Sequence, residues 1–185
     1  MKRWLTAIAV FGMVAAGAAP AQAAAVDFVV GLYGGASFPL EGDADTGSVL
    51  GAKLRVLTPI PMLAAEAYYQ RIGQEDVEDV WNEGDVAIDL EGDALEVAGA
   101  DILVGSLRGT PLLRWYGIAG VNFVEFDLPG SDEYRMGGEL GVGLEIVPPA
   151  IGLSVEARGM ISFIGVGDEP DPKVATLTVG LNYDF

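Results

Sequence analysis

The chain has 185 residues, room for one domain, and is at once apolar and acidic: 51% hydrophobic residues and a mean hydropathy of +0.37 stand beside a net charge of −17. It contains no cysteine and no histidine, which excludes disulfides, thiolate metal sites and histidine-based acid–base or triad chemistry. With 27 acidic against 10 basic residues there is no basic patch for nucleic acid, and the 26 glycines argue against an all-helical chain.

Met1-Lys2-Arg3 is a short basic segment, Leu5 to Val14 an apolar run, and Ala21-Gln22-Ala23 a small-x-small cleavage pattern. Together they predict a secretory signal peptide over 1–23, cut after Ala23, leaving 24–185 as the mature domain. Beyond Ala23 no apolar stretch approaches the roughly 20 residues that a spanning helix needs. A membrane-embedded chain of this kind must therefore satisfy its backbone groups as a closed barrel.

Alternating runs follow in order at Val26–Ser37, Val49–Leu57, Leu63–Ile72, Ala94–Ser106, Leu112–Phe126, Tyr134–Ile146, Ile151–Phe163 and Val174–Phe185. The connections between them alternate in kind. Those at Phe38–Gly47, Gly73–Asp93, Asp127–Glu133 and Gly165–Pro172 are longer and acidic, whereas Thr58–Met62, Leu107–Pro111 and Val147–Ala150 are short and carry proline. Long loops at one rim, with short turns and both termini at the other, predict an all-β, eight-stranded antiparallel up-and-down transmembrane barrel whose termini are periplasmic.

The faces of the later runs sharpen this expectation. Met136, Leu140, Val142, Leu144 and Ile146 share one face of the sixth run, and Arg135, Glu139 and Glu145 the other. On the seventh, Leu153, Val155, Ala157, Ile161 and Phe163 oppose Ser154, Glu156, Arg158 and Ser162. The apolar faces carry almost no charge, and the polar faces are sparse and glycine-rich, as a cramped interior requires. Trp115, Phe123, Phe163 and Tyr183 stand near run ends, where interfacial aromatic girdles belong. In the fourth run Glu96 and Asp101 have opposite parity, so either Gly99 marks a bulge or Glu96 lies above the apolar band. Its position near a long loop favours the second.

The chain ends in Leu181-Asn182-Tyr183-Asp184-Phe185. This ending resembles the terminal strand of outer-membrane barrels, and with the leader and the eight-run plan the mature chain resembles the OmpA/OmpX-like family of small barrels. The resemblance implies that Tyr183 and Phe185 form a signal read by the barrel-assembly machinery during biogenesis. It also implies outer-membrane lipid as the surroundings, a bacterial outer-membrane location, and a monomer.

Two clusters remain as candidate sites. Glu75, Asp76, Glu78 and Asp79 open the most acidic loop and are weak Ca²⁺ candidates, since hard cations take carboxylate oxygen; their spacing matches no calcium loop, so a solvated acidic rim is the reading adopted. Asp27, Lys53, Arg55, Glu66, Arg114, Glu139, Glu145, Glu156 and Arg158 fall on inward faces. A hairpin centred on Ile60-Pro61 sets Arg55 opposite Glu66, and one centred on Pro148-Pro149 sets Glu139 opposite Arg158. Such pairs are expected to plug the lumen, because eight strands enclose a space that side chains fill.

The function expected is a non-enzymatic barrel that contributes to envelope structure or surface properties, with no cofactor and no nucleic-acid partner. The rivals are a porin-like conduit for small solutes or ions and a soluble periplasmic lipocalin-like carrier.

Overall fold

Strict alternation of side chains lets one ribbon present a charged face to one side and an apolar face to the other, and eight such ribbons close on themselves here. The computed structural model describes residues 26–40, 46–73, 95–108, 112–128, 131–148, 152–163 and 173–185. The expected leader over 1–23 and the candidates Glu75, Asp76, Glu78 and Asp79 lie outside them. The strands are β1 (Asp27–Pro39), β2 (Gly47–Leu57), β3 (Leu63–Gly73), β4 (Leu95–Gly105), β5 (Leu113–Leu128), β6 (Ser131–Ile146), β7 (Leu153–Phe163) and β8 (Lys173–Asp184). Each pairs antiparallel with its sequence neighbours, and β1 pairs with β8 to close the barrel. The fold is thus an eight-stranded, all-antiparallel, up-and-down β-barrel.

The inside-out distribution is the central feature. Leu32, Leu50, Met136, Val142 and Leu181 are each more than 60% exposed on the outer surface. Lys53, Arg55, Glu66, Glu145 and Glu156 are at most 2% exposed inside. A small apolar layer of Val29, Leu57, Ala64, Leu103 and Leu107 fills part of the short-turn end of the interior. Leu107, in the connection after β4, turns inward and is 1% exposed.

Two connections differ from the sequence reading. The expected loop over Asp127–Glu133 is mostly strand: β5 and β6 stay paired out to Leu128 opposite Ser131, leaving only Pro129 and Gly130 between them. The turn after β6 is longer than a tight hairpin. β7 begins at Leu153 rather than Ile151, and Ile146 stands opposite Val155, not Ile151. Proline lacks the N–H that a ladder needs, so pairing does not run on through Pro148-Pro149. Val147 instead donates to the Leu112 carbonyl at 3.0 Å. Gly152 adopts a left-handed φ of 63° suited to glycine, and its carbonyl accepts the Asp184 N–H at 2.8 Å.

β4 is regular. Its pairing with β3 runs unbroken from Leu63–Val104 to Ile72–Leu95, so there is no bulge at Gly99. Asp101 points inward, and Glu96 lies on the outer face opposite Arg71, next to a long connection.

Candidate functional site

The lumen holds the chemistry of this chain, and β2, β3, β6 and β7 supply most of it. Period-two alternation sends Lys53 and Arg55 inward from β2, Glu66 from β3, Glu145 from β6, and Glu156 and Arg158 from β7. Arg55 is fully buried and reaches four other strands. It donates from Nε to Glu66 at 2.9 Å, from Nη1 to Glu145 at 3.2 Å, and from Nη2 to Tyr116 at 3.1 Å and Glu156 at 2.5 Å. A side chain tied to β3, β5, β6 and β7 at once spans the barrel from wall to wall.

Arg158 completes the network. It grips Glu66 with both terminal nitrogens, at 2.5 and 2.7 Å, and reaches Glu156 at 3.0 Å. Lys53 contacts the other oxygen of Glu156. Glu145 takes further bonds from Ser154 and from Asn182, the latter at 2.8 Å. Lys53, Arg55 and Arg158 thus meet Glu66, Glu145 and Glu156, three positive groups against three negative ones. Buried charges arranged like this are tolerable because each is paired with an opposite charge, and all but Lys53 are also hydrogen-bonded. Below the network Arg114 reaches Asp184 at 3.4 Å, and Arg108 bridges Asp27 at 2.9 Å near the short-turn rim.

Three tyrosines frame the charges, and each lies across a glycine on the next strand. Tyr33 faces Gly51, Tyr68 faces Gly99, and Tyr116 faces Gly143. A Cβ on these glycines would come within 2.4, 2.4 and 2.3 Å of the respective rings. The glycines are the space that the rings occupy. The Arg55 guanidinium in turn lies 5.0 Å from the centroid of the Tyr116 ring, in cation–π range.

The candidate pairs fare differently. Arg55 and Glu66 are directly opposite and bonded. Glu139 and Arg158 are not: the β6–β7 register is displaced by four residues, so Glu139 faces Ser162 and Arg158 faces Gly143. The cause is the longer Val147–Gly152 connection. An even displacement keeps every side chain on its own face, so both residues remain in the lumen with new partners. Glu139 accepts from the Tyr68 hydroxyl at 2.6 Å and from Ser162 at 3.4 Å.

Bonds between distant strands, such as Arg55 to Glu156, carried no local signal in the sequence. Of the terminal pair, Tyr183 and Phe185 both face outward, their rings edge to face at 4.9 Å, and the Phe185 N–H donates to the Phe28 carbonyl at 2.9 Å. Among the described residues no group of three or more carboxylates is placed to hold a metal ion.

No protein-family model matches the chain, and no curated protein matches its sequence. Solved structures do match its shape. The N-terminal β-barrel domain of OprF from Pseudomonas aeruginosa aligns at 13% identity and a TM-score of 0.56, over 86% of this chain and 97% of that one. A major outer membrane protein of Thermus thermophilus aligns at 15% identity and a TM-score of 0.55, over 88% of this chain and 100% of that one. Neisserial surface protein A aligns at 16% identity and a TM-score of 0.54, with the same coverage of both chains. The chain therefore has the fold of the small eight-stranded outer-membrane barrels.

Proposed function

We propose that this protein is a non-enzymatic barrel of the bacterial outer membrane, contributing to envelope structure or surface properties, with a lumen closed by its own side chains. The observation that carries the reading is the inversion of the usual globular pattern: large aliphatic residues cover the outside, and a charged network fills the inside. Soluble proteins rarely expose contiguous apolar surface beyond a few hundred Å². In lipid the same surface is the favourable one, and a closed barrel leaves no unpaired strand edge.

The filled lumen weighs against both rivals. A porin-like conduit needs an open path, whereas Arg55 and its partners cross the interior from wall to wall. A lipocalin-like carrier needs an apolar cavity; here the inward face presents ionised groups. The absence of histidine and cysteine from the sequence supports the non-enzymatic reading.

Envelope fractionation together with single-channel recording tests the proposal. The protein is expected with outer membranes, migrating differently on gels before and after boiling, and conducting little in planar bilayers. Release with the periplasm, or a steady large conductance, would overturn it.

A further inference from the structure

Two carboxyl groups in the lumen stand outside the network. Asp101 on β4 and Glu139 on β6 are 3% and 2% exposed. Both flank Gly120 of the intervening strand, Asp101 directly opposite it on one side and Glu139 on the other. A Cβ on Gly120 would meet Asp101 Oδ1 at 2.0 Å, so the aspartate lies over the glycine toward Glu139. Asp101 Oδ1, Asp101 Oδ2 and Glu139 Oε1 have no donor among the described residues.

The surrounding cations are committed elsewhere. Lys53, Arg55 and Arg158 bridge Glu66, Glu145 and Glu156, while Arg114 bridges Glu145 and Asp184. Around the pair stand Glu66 and Tyr68 from β3, Tyr33 from β1 and Arg158 from β7; on β6 itself Arg135 is two inward positions nearer the long loops. Of these, Tyr68 donates to Glu139 Oε2, and Arg158 is turned to Glu66. Two ionised carboxylates beside one another repel, and neither carries a proton with which to satisfy the unpaired oxygens of the other. One proton between them removes both difficulties.

We propose that Asp101 and Glu139 form a proton-binding site in the barrel interior, the two carboxyl groups holding one proton between them when the protein is folded at neutral pH. In the unfolded chain both are ordinary solvated carboxylates, ionised at that pH. Folding therefore takes up a proton, and stability falls as pH rises through the neutral range, since the folded state binds more protons than the unfolded one. A difference of one bound proton corresponds to a tenfold change in the folding equilibrium constant per pH unit.

The test compares the purified protein in detergent micelles with Asp101→Asn and Glu139→Gln. Each variant keeps the shape and supplies a fixed amide donor in place of the proton. Infrared difference spectra at neutral pH should show a protonated carboxyl C=O band in wild type that is lost in either variant. The pH dependence of reversible unfolding should be flatter in the variants by up to the tenfold per pH unit that one proton contributes. If one variant fails to fold, the other carries both measurements. Absence of the band, with the same pH slope in all proteins, overturns the site. An absent band together with Na⁺ or Ca²⁺ stabilising wild type but not Asp101→Asn at fixed pH also overturns it, because a metal ion would then hold the pair.

Discussion

Glu66 takes more guanidinium hydrogen bonds than any other carboxylate among the described residues, and removing it measures what the network contributes. Its two oxygens take the Arg55 Nε at 2.9 Å and a two-pronged grip from Arg158 at 2.5 and 2.7 Å. After Glu66→Ala, Arg55 keeps Glu145, Glu156 and Tyr116, but among the described residues Arg158 keeps only the 3.0 Å contact with Glu156 and its place 5.7 Å from the centroid of the Tyr116 ring. A buried guanidinium that has lost its main partner is costly, so a loss of about 3–5 kcal/mol is expected. Arg158→Ala should cost somewhat less, about 3 kcal/mol, because Glu66 retains Arg55 and Glu156 retains Arg55 and Lys53.

The double variant removes both ends of the two-pronged pair. It should therefore fall short of additivity by about 2 kcal/mol or more. Urea unfolding of protein refolded into lipid vesicles, followed by tryptophan fluorescence, supplies the cycle. Asp27 with Arg158 is the internal control: the pairing of β7 with β8 and of β8 with β1 lines Arg158 up with Gly35, eight residues along β1 from Asp27, roughly 26 Å along a strand. Their cycle should close to within about 0.5 kcal/mol. Additive losses for Glu66 with Arg158, or strong coupling for Asp27 with Arg158, would refute the reasoning.

Other expectations are separable. Gly143→Ala drives a methyl into the Tyr116 ring, whose nearest atoms lie 2.3 Å from the ideal Cβ; it should lower stability by about 1–3 kcal/mol, with Tyr116→Ala relieving part of the clash in the double variant. Deleting Phe185, which is 73% exposed and adds one backbone bond to β1, should reduce assembled barrel in cells far more than stability after refolding in detergent, if it is read as an assembly signal. Normal accumulation of the deletion variant in outer membranes would count against that role. Millimolar Ca²⁺ should protect the acidic 73–93 segment from protease no better than monovalent salt of equal ionic strength, because screening alone relieves its repulsion. A Ca²⁺-specific effect abolished by changing Glu75, Asp76, Glu78 and Asp79 to the amides would instead make it a cation site.

Much of the fold was legible because a strand repeats every two residues, a period that survives errors of register. Every inward charge on β2, β3, β6 and β7 could be assigned from alternation alone. The Arg55–Glu66 opposition followed from a short turn whose length left little freedom. The same method misplaced Glu139 and Arg158 by four residues, since two prolines and a left-handed Gly152 lengthen the connection without altering the parity on either side. Bonds across the lumen were not legible at all. Arg55 and Glu156 are 101 residues apart and lie on non-adjacent strands, so their meeting depends on how the barrel closes. The tyrosine–glycine pairs were hidden for a related reason: Tyr33 and Gly51, or Tyr116 and Gly143, have no relation until the register is known.

The direct test of the inverted architecture is whether lipid touches the outer face. Trp115 is 60% exposed on the outside of β5, near the short-turn rim. With Trp4 and Trp81 changed to Phe, it becomes the sole tryptophan and can be refolded into vesicles whose acyl chains carry bromine close to the headgroup. Strong quenching relative to unbrominated vesicles is predicted, with little effect of an aqueous quencher. Equal fluorescence in the two lipids, from protein that is folded and quenched from the aqueous side, would contradict a membrane-embedded barrel.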